Sequence, residues 1–207
     1  MATSVPGLVE AMASDRYHHG DVRSASTRAA LSLLVREGAS AITVRRVARE
    51  IGVSHTAVGK ELGGLEGLLV ACAADIYTSL ARALRAAPEG QDDALMRFRA
   101  VGQAYLRFAT DHPAWLGFVA HPTVQSSPDP SLENARVAAF QMLVDEVELA
   151  MERAAIRRDE PVRVALYVWS TCQGFASLVA AGNLRWTNAD DPGAVLLDQM
   201  YLGLRPL

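Results

Sequence analysis

Lysine is almost missing from this 207-residue chain: Lys60 stands alone among 20 basic residues. With a net charge of −3, the protein has no globally basic coat of the kind that holds nucleic acid over a whole surface. Cysteine is scarce as well. Cys72 and Cys172 lie far apart in sequence, so neither a metal spacing nor a disulfide framework follows, and both fall in apolar helical patterns that mark buried free thiols. No apolar run approaches the roughly 18–20 residues of a membrane span. The opening MATSVPGLVEAMASDRYHHG lacks a basic start followed by an apolar core and does not read as a signal peptide. A cytoplasmic protein with no membrane partner is the expectation. Period-2 alternation is also absent, which excludes a fold of half-buried strands. There is no internal repeat and no low-complexity tract.

Hydrophobic residues make up 50% of the chain, enough for a sizeable core, and the length suits one domain or a small domain fused to a larger one. Charge is unevenly spread. From Arg16 to Lys60 there are eight basic residues against Asp21, Glu37 and Glu50, whereas residues 71–207 carry twelve arginines and sixteen acids. Period-3.6 patterning runs through the whole chain and predicts an all-α fold of about nine helices. Residues 1–15 are small and weakly patterned and are expected to be disordered. Asp21 caps a helix stopped by Gly38, and Thr43 caps a short one with Val44, Val47, Ala48 and Ile51 inward. Gly52 permits a bend and Ser54 caps the next. Leu65, Leu68, Leu69, Cys72, Ile76, Leu80 and Leu84 then form a long amphipathic stripe closed by Pro88. Five more helices are expected, near 92–111, to about 121, 131–157, 160–182 and 191–204, with 121–130 read as a loop.

Residues 43–58 hold the constellation of a helix-turn-helix. Such a motif needs a small residue where the helices cross, a turn residue tolerant of positive φ, and an apolar residue locking the second helix. Ala48, Gly52 and Val58 occupy those places, and Val47, Ile51 and Val53 supply a miniature core. On the second helix His55, Thr56 and Lys60 face outward, where they can donate to guanine or touch a thymine methyl. Arg45 and Arg46, with Thr43 and Ser54, can hold phosphates. An arm of Arg16, Tyr17, His18, His19 and Arg23 lies within reach of the backbone or minor groove.

The stretch TRAALSLLVREGASAITVRRVAREIGVSHTAV (27–58) resembles the TetR family of bacterial transcriptional regulators. Two further stretches, AYLRFATDHPAWLGFV (104–119) and VWSTCQGFASLVAAG (168–182), look like the C-terminal domain class named for its Trp-His-Gly signature, with Gln173 at the histidine position before Gly174. The resemblance implies a three-helix DNA-binding head over residues 16–63 on a larger effector-binding and dimerisation domain over 64–207. It implies a homodimer joined through helices 160–182 and 191–204 that reads a palindromic operator, acting as a repressor released by a small-molecule effector. Val164, Ala165, Val168, Cys172, Ala176 and Val179 form a small-residue face suited to close helix packing, in the dimer or in the core. The family usually carries a tyrosine, a His-Phe pair and a lysine after the bend. Here Gly59, Glu61-Leu62 and Leu65 stand at those positions, so a head that no longer reads DNA is the competing expectation.

Bulky residues on the later helices are candidates for an effector pocket: Tyr105, Trp115, Phe118, Met142, Trp169 and Gln173. No arginine or carboxylate stands out within an apolar stripe, so the effector is expected to be apolar. No cofactor and no metal are expected: His18-His19 has no further ligand nearby, and Glu148 and Glu152 lack a histidine three residues on. No nucleophile elbow, P-loop, dinucleotide or zinc signature is present, so an enzyme is not expected.

Overall fold

The computed structural model describes residues 8–184 and 191–206, with side chains from Val22 onward. Among these residues there are ten α-helices, one 3₁₀ turn at Ala39–Ala41 and no strand. The helices are α1 Leu8–Glu37, α2 Val44–Glu50, α3 His55–Leu62, α4 Gly64–Ala86 and α5 Ala94–Asp111. They continue as α6 Pro113–Phe118, α7 Pro122–Gln125, α8 Pro130–Glu152, α9 Pro161–Ala180 and α10 Pro192–Gly203.

Most starts follow from one side chain. A carboxylate or hydroxyl just outside the helix accepts from otherwise unpaired amide groups of the first turn. Asp93 accepts from the Met96 amide at 2.8 Å, Glu160 from those of Val162 and Arg163 at 3.0 and 2.7 Å, and Asp191 from that of Ala194 at 2.9 Å. Proline follows the cap in α8, α9 and α10, where its missing N–H costs nothing.

Three expected element bounds need correction. α1 begins at Leu8, not at Asp21, so residues 8–15, read as disordered, are helical. The stretch from Leu8 is rich in good helix formers and holds no proline. α7 lies inside the expected loop 121–130. Pro122 opens it, the Ser126 hydroxyl donates to the Pro122 carbonyl at 2.9 Å, and Val124 is buried. α8 stops at Glu152 rather than near 157. Ala154 takes the left-handed conformation at φ 54, the Ala155 amide reaches back to Ala150 O at 2.8 Å, and that of Ala154 to Met151 O at 3.1 Å. This is a Schellman stop with alanine where glycine is usual, and the chain beyond it buries Ile156.

By internal packing the chain divides into two units, residues 1–73 with 122–127, and 74–121 with 128–207. In the first, α1, α2 and α3 pack pairwise, and Leu33, Leu34, Val47, Ala48, Val58, Leu62 and Leu68 are buried. In the second, α5 packs against α8, α9 and α10. Phe98, Val101, Leu143, Val147, Val168 and Met200 belong to its core. α4 passes a length-and-composition test for crossing a bilayer, but Glu66, Asp75, Arg82 and Arg85 interrupt it, so no apolar run reaches the length of a span, as expected. Most of its apolar side chains are covered by protein: Leu68, Cys72, Ala73, Ile76, Leu80 and Leu84 are all buried.

The glycines of GKELGGLEGLL have separate reasons. Gly63 ends α3 and Gly64 begins α4 with φ of 72° and 91°, a reversal that side chains resist. Gly67 has an ordinary backbone but no room: a Cβ there would lie 1.6 Å from the Leu62 carbonyl oxygen. Gly59 is open, with nothing within 4 Å of the Cβ position. Chemical unfolding should separate them. Gly67→Ala is expected to lose about 1–3 kcal/mol through forced backbone movement, and Gly59→Ala to gain up to about 1 kcal/mol. Ala154→Gly should gain about 0.5–1 kcal/mol by relieving the left-handed alanine. A stable Gly67→Ala would contradict the close approach.

Candidate nucleic-acid interface and ligand cavity

α2 and α3 form the bend expected between residues 43 and 58. Thr43 caps α2, its hydroxyl accepting from the Arg46 amide at 3.2 Å, and Ser54 caps α3, accepting from the Ala57 amide at 3.1 Å. Gly52 turns the chain at φ 72, and the Val53 amide donates to Ala48 O at 3.0 Å, which ties the bend to the first helix. Val58 is fully buried and locks α3 down.

The expected DNA-contacting residues divide by exposure. His55, Thr56 and Lys60 lie exposed along α3, and Thr43, Arg45 and Ser54 are exposed as well. Arg46 is half-buried, its guanidinium 2.5 Å from Glu37 of α1. Arg36 of α1 reaches Glu50 of α2 at 3.1 Å. These pairs brace α1 against α2 and withdraw Arg46 from the free positive charge of the head. Arg49, exposed on α2, stands where a second free guanidinium is available. Leu65 is 43% exposed and Glu61 half-buried. Arg23 is exposed, whereas the side chains of Arg16, Tyr17, His18 and His19 lie outside the described residues.

The six expected pocket residues largely pack against their neighbours. Tyr105 donates to Gln173 Oε1 at 2.5 Å and meets the Trp169 ring edge-on at 5.7 Å, while Trp169 also meets Phe140 at 5.6 Å. Trp115 stacks on His112 at 4.3 Å, and its indole Nε1 is buried without a partner. Phe118 is buried. Met142 borders a small polar hollow of about 280 Å³ beside Arg97 and Glu146. A cavity of about 530 Å³ opens elsewhere, between α5, α9 and the start of α10. Leu106, Phe175, Val179 and Leu197 line it, with Gln103, Arg107, Thr110 and Asp191 as its polar side chains. None of the six expected residues lines it. The cue in the sequence was Arg107, one turn after Gln103 on the amphipathic α5, which does place an arginine beside an apolar stripe.

The small-residue face of α9 turns inward: Val164, Ala165, Val168, Cys172 and Ala176 are buried in the chain's own core. Its opposite side is exposed and carries Leu166, Tyr167, Ser170, Gly174, Ser177 and Leu178. α10 exposes Val195 and Leu202. Leu166 is 57% and Leu178 45% exposed.

Burial pushes the Cys172 thiol up to about 12 from its ordinary 9.0. It also raises the Tyr105 and Tyr201 hydroxyls well above the phenol range. The neutral forms are the ones the fold accepts, so their stabilisation is complete below about pH 9 and is lost as pH rises toward 12. Urea unfolding should therefore weaken from about pH 9 upward, and Cys172 should resist iodoacetamide at about pH 8 until the protein unfolds. Labelling of the folded protein at the rate of a free thiol would contradict the burial argument.

Residues 98–201 match a family model described as "Tetracyclin repressor-like, C-terminal domain". No curated protein matches the chain. Among solved structures, a protein of unknown function from Rhodococcus sp. RHA1 is 31% identical, over 91% of this chain and 97% of its own, with a TM-score of 0.79. A TetR family transcription regulator from Marinobacter aquaeolei VT8 is 16% identical over 91% of this chain and 98% of its own, with a TM-score of 0.67. RolR in complex with resorcinol is 13% identical over 91% and 90%, also with a TM-score of 0.67. At those identities the last two share the fold.

Proposed function

The chain belongs to the TetR family of transcriptional regulators, and we propose that it is a cytoplasmic homodimeric repressor that leaves a palindromic operator when a small-molecule effector binds. The observation that carries the reading is the capped bend of the head, which leaves His55, Thr56 and Lys60 exposed along one helix. These three are the base-reading residues. Arg45, with the hydroxyls of Thr43 and Ser54, holds phosphates, and Arg46 contributes chiefly by bracing α2 against α1. A hydroxyl that already accepts from its helix retains its proton to donate, so capping and phosphate contact are compatible.

Dimerisation occurs through the outer side of α9 and through α10, where Leu166, Gly174, Leu178, Val195 and Leu202 meet their copies. Small residues at 170, 174 and 177 allow two α9 helices to approach closely. The effector binds in the second unit. It acts by preferring a conformation whose heads do not match the half-site spacing. α4, which contributes to both units, is the mechanical link. RolR, which shares the fold, is known bound to resorcinol. Catalysis is not proposed.

Gly59, Glu61 and Leu65 support a second reading, a ligand-binding or interaction dimer whose head no longer reads DNA. An anisotropy titration of the purified protein on its own upstream DNA, with scrambled DNA as control across a salt series, decides between them. The first reading predicts a preference of about 10³ or more. Lys60→Ala should cost about 1–3 kcal/mol on the specific site, whereas Arg45→Ala should weaken both DNAs and reduce the salt slope by about 1. Equal, weak binding that vanishes at moderate salt favours the second. A Leu166→Glu and Leu178→Glu double variant should sediment as a monomer, and one that stays dimeric would sink the proposed interface.

A further inference from the structure

We propose that the cavity between α5, α9 and the first turn of α10 binds a small amphipathic organic anion, with Arg107 and Gln103 holding its carboxylate and Leu106, Phe175, Val179 and Leu197 covering its apolar body. The proposal rests on the reading of the chain as an effector-responsive regulator and names the place and chemical class of the effector.

A volume of about 530 Å³ falls within the range of small-molecule sites, roughly 300–1,000 Å³. Most of the wall is aliphatic or aromatic, so burial of an apolar body drives binding. Polar atoms decide what the rest of the ligand must be. The Thr110 hydroxyl is satisfied on its own helix, donating to the carbonyls of Leu106 at 3.1 Å and Arg107 at 2.9 Å. Asp191 is engaged as the cap of α10, where its charge faces the positive end of the helix. Arg107 and Gln103 remain. Neither side chain makes a hydrogen bond or ion pair with another described residue. The contrast within α5 is direct, since Arg97 is paired with Glu146 at 2.7 Å and Arg99 with Asp198.

Among the described residues Arg107 is thus a guanidinium without an ion-pair partner, on the wall of a largely apolar cavity. Its forked donors match a carboxylate in two parallel hydrogen bonds. Gln103, one turn earlier, lies on the same side of α5 and supplies a further amide donor. Gly193 belongs to the opposite wall, and a Cβ there would press on Leu106 Cδ1 at 3.2 Å and lie 3.6 Å from the Phe175 ring. Glycine at this position therefore keeps the start of α10 close to α5 without filling the space.

Calorimetric titration of the full chain with 2-naphthoate, and with its neutral twin 2-naphthamide, tests the site without DNA. The acid should bind at least about tenfold more tightly than the amide, the worth of one charge-assisted hydrogen bond. Arg107→Gln should abolish that preference and Arg107→Lys should restore part of it, while Val179→Trp should weaken both ligands. Equal affinity for acid and amide, no binding of either, or undiminished affinity for naphthoate in Arg107→Gln would overturn the proposal. Adding naphthoate to the operator complex reads the premise separately. Naphthoate bound through Arg107 without release of DNA supports the site and sinks the effector role. Release unaffected by Arg107→Gln sinks the site and leaves the regulator standing.

Discussion

One uninterrupted apolar stripe carries the rest of the structure. Leu68, Cys72, Ile76, Leu80 and Leu84 recur every fourth residue along α4, and each is buried. The same stripe passes from the first packed unit to the second, whose boundary falls after Ala73. Burial of such side chains is the dominant favourable contribution to folding, about 1.5–3 kcal/mol for each large one. It also explains why a helix with the composition of a membrane span is a core element here. The close approach at Gly67 follows from the same demand. α4 must start directly after α3 to bring Leu68 into the core of the head, and the Leu62 carbonyl then leaves no room for a Cβ at the fourth residue of α4.

This constraint recasts the glycine-rich stretch after the bend. Gly63, Gly64 and Gly67 belong to the geometry that joins α3 to α4, and so say nothing against DNA reading. Gly59 differs, because it has open space and an ordinary helical backbone. It is the one glycine of the four that the backbone and its surroundings do not require. The lost anchors of the head thus reduce to Gly59, Glu61 and Leu65, set against a bend that retains both caps and its locking valine. The Arg46–Glu37 and Arg36–Glu50 pairs are partly exposed and contribute modestly to stability. Their larger effect is on charge, since they leave Arg45, Arg49 and Lys60 to face an approaching polyanion.

Local rules made much of the architecture legible. Helical stripes, caps at Thr43 and Ser54, and the Ala48–Gly52–Val58 spacing all act within a few residues, and they place the helices and the bend. What was not legible needed neighbours distant in the chain. Periodicity separates the two sides of α9 but cannot say which one meets α5 and α8, so the small-residue side was open to partner or core, and it fills the core. The stop of α8 rests on an alanine in a glycine conformation. α7 is a single turn, too short to carry a period. The cavity draws its wall from three helices, and its arginine looks ordinary until α9 and α10 are folded beside it.

The proposed release by an effector requires DNA binding weak enough for that effector to overcome, and the family residues absent at Gly59, Glu61 and Leu65 are compatible with that requirement. Selection from a random DNA pool with the intact protein tests the central claim most directly, because it assumes no operator. The account predicts enrichment of a palindrome with half-sites about one helical turn, roughly 10 base pairs, apart. Recovery of unenriched sequence by a folded dimer would contradict it.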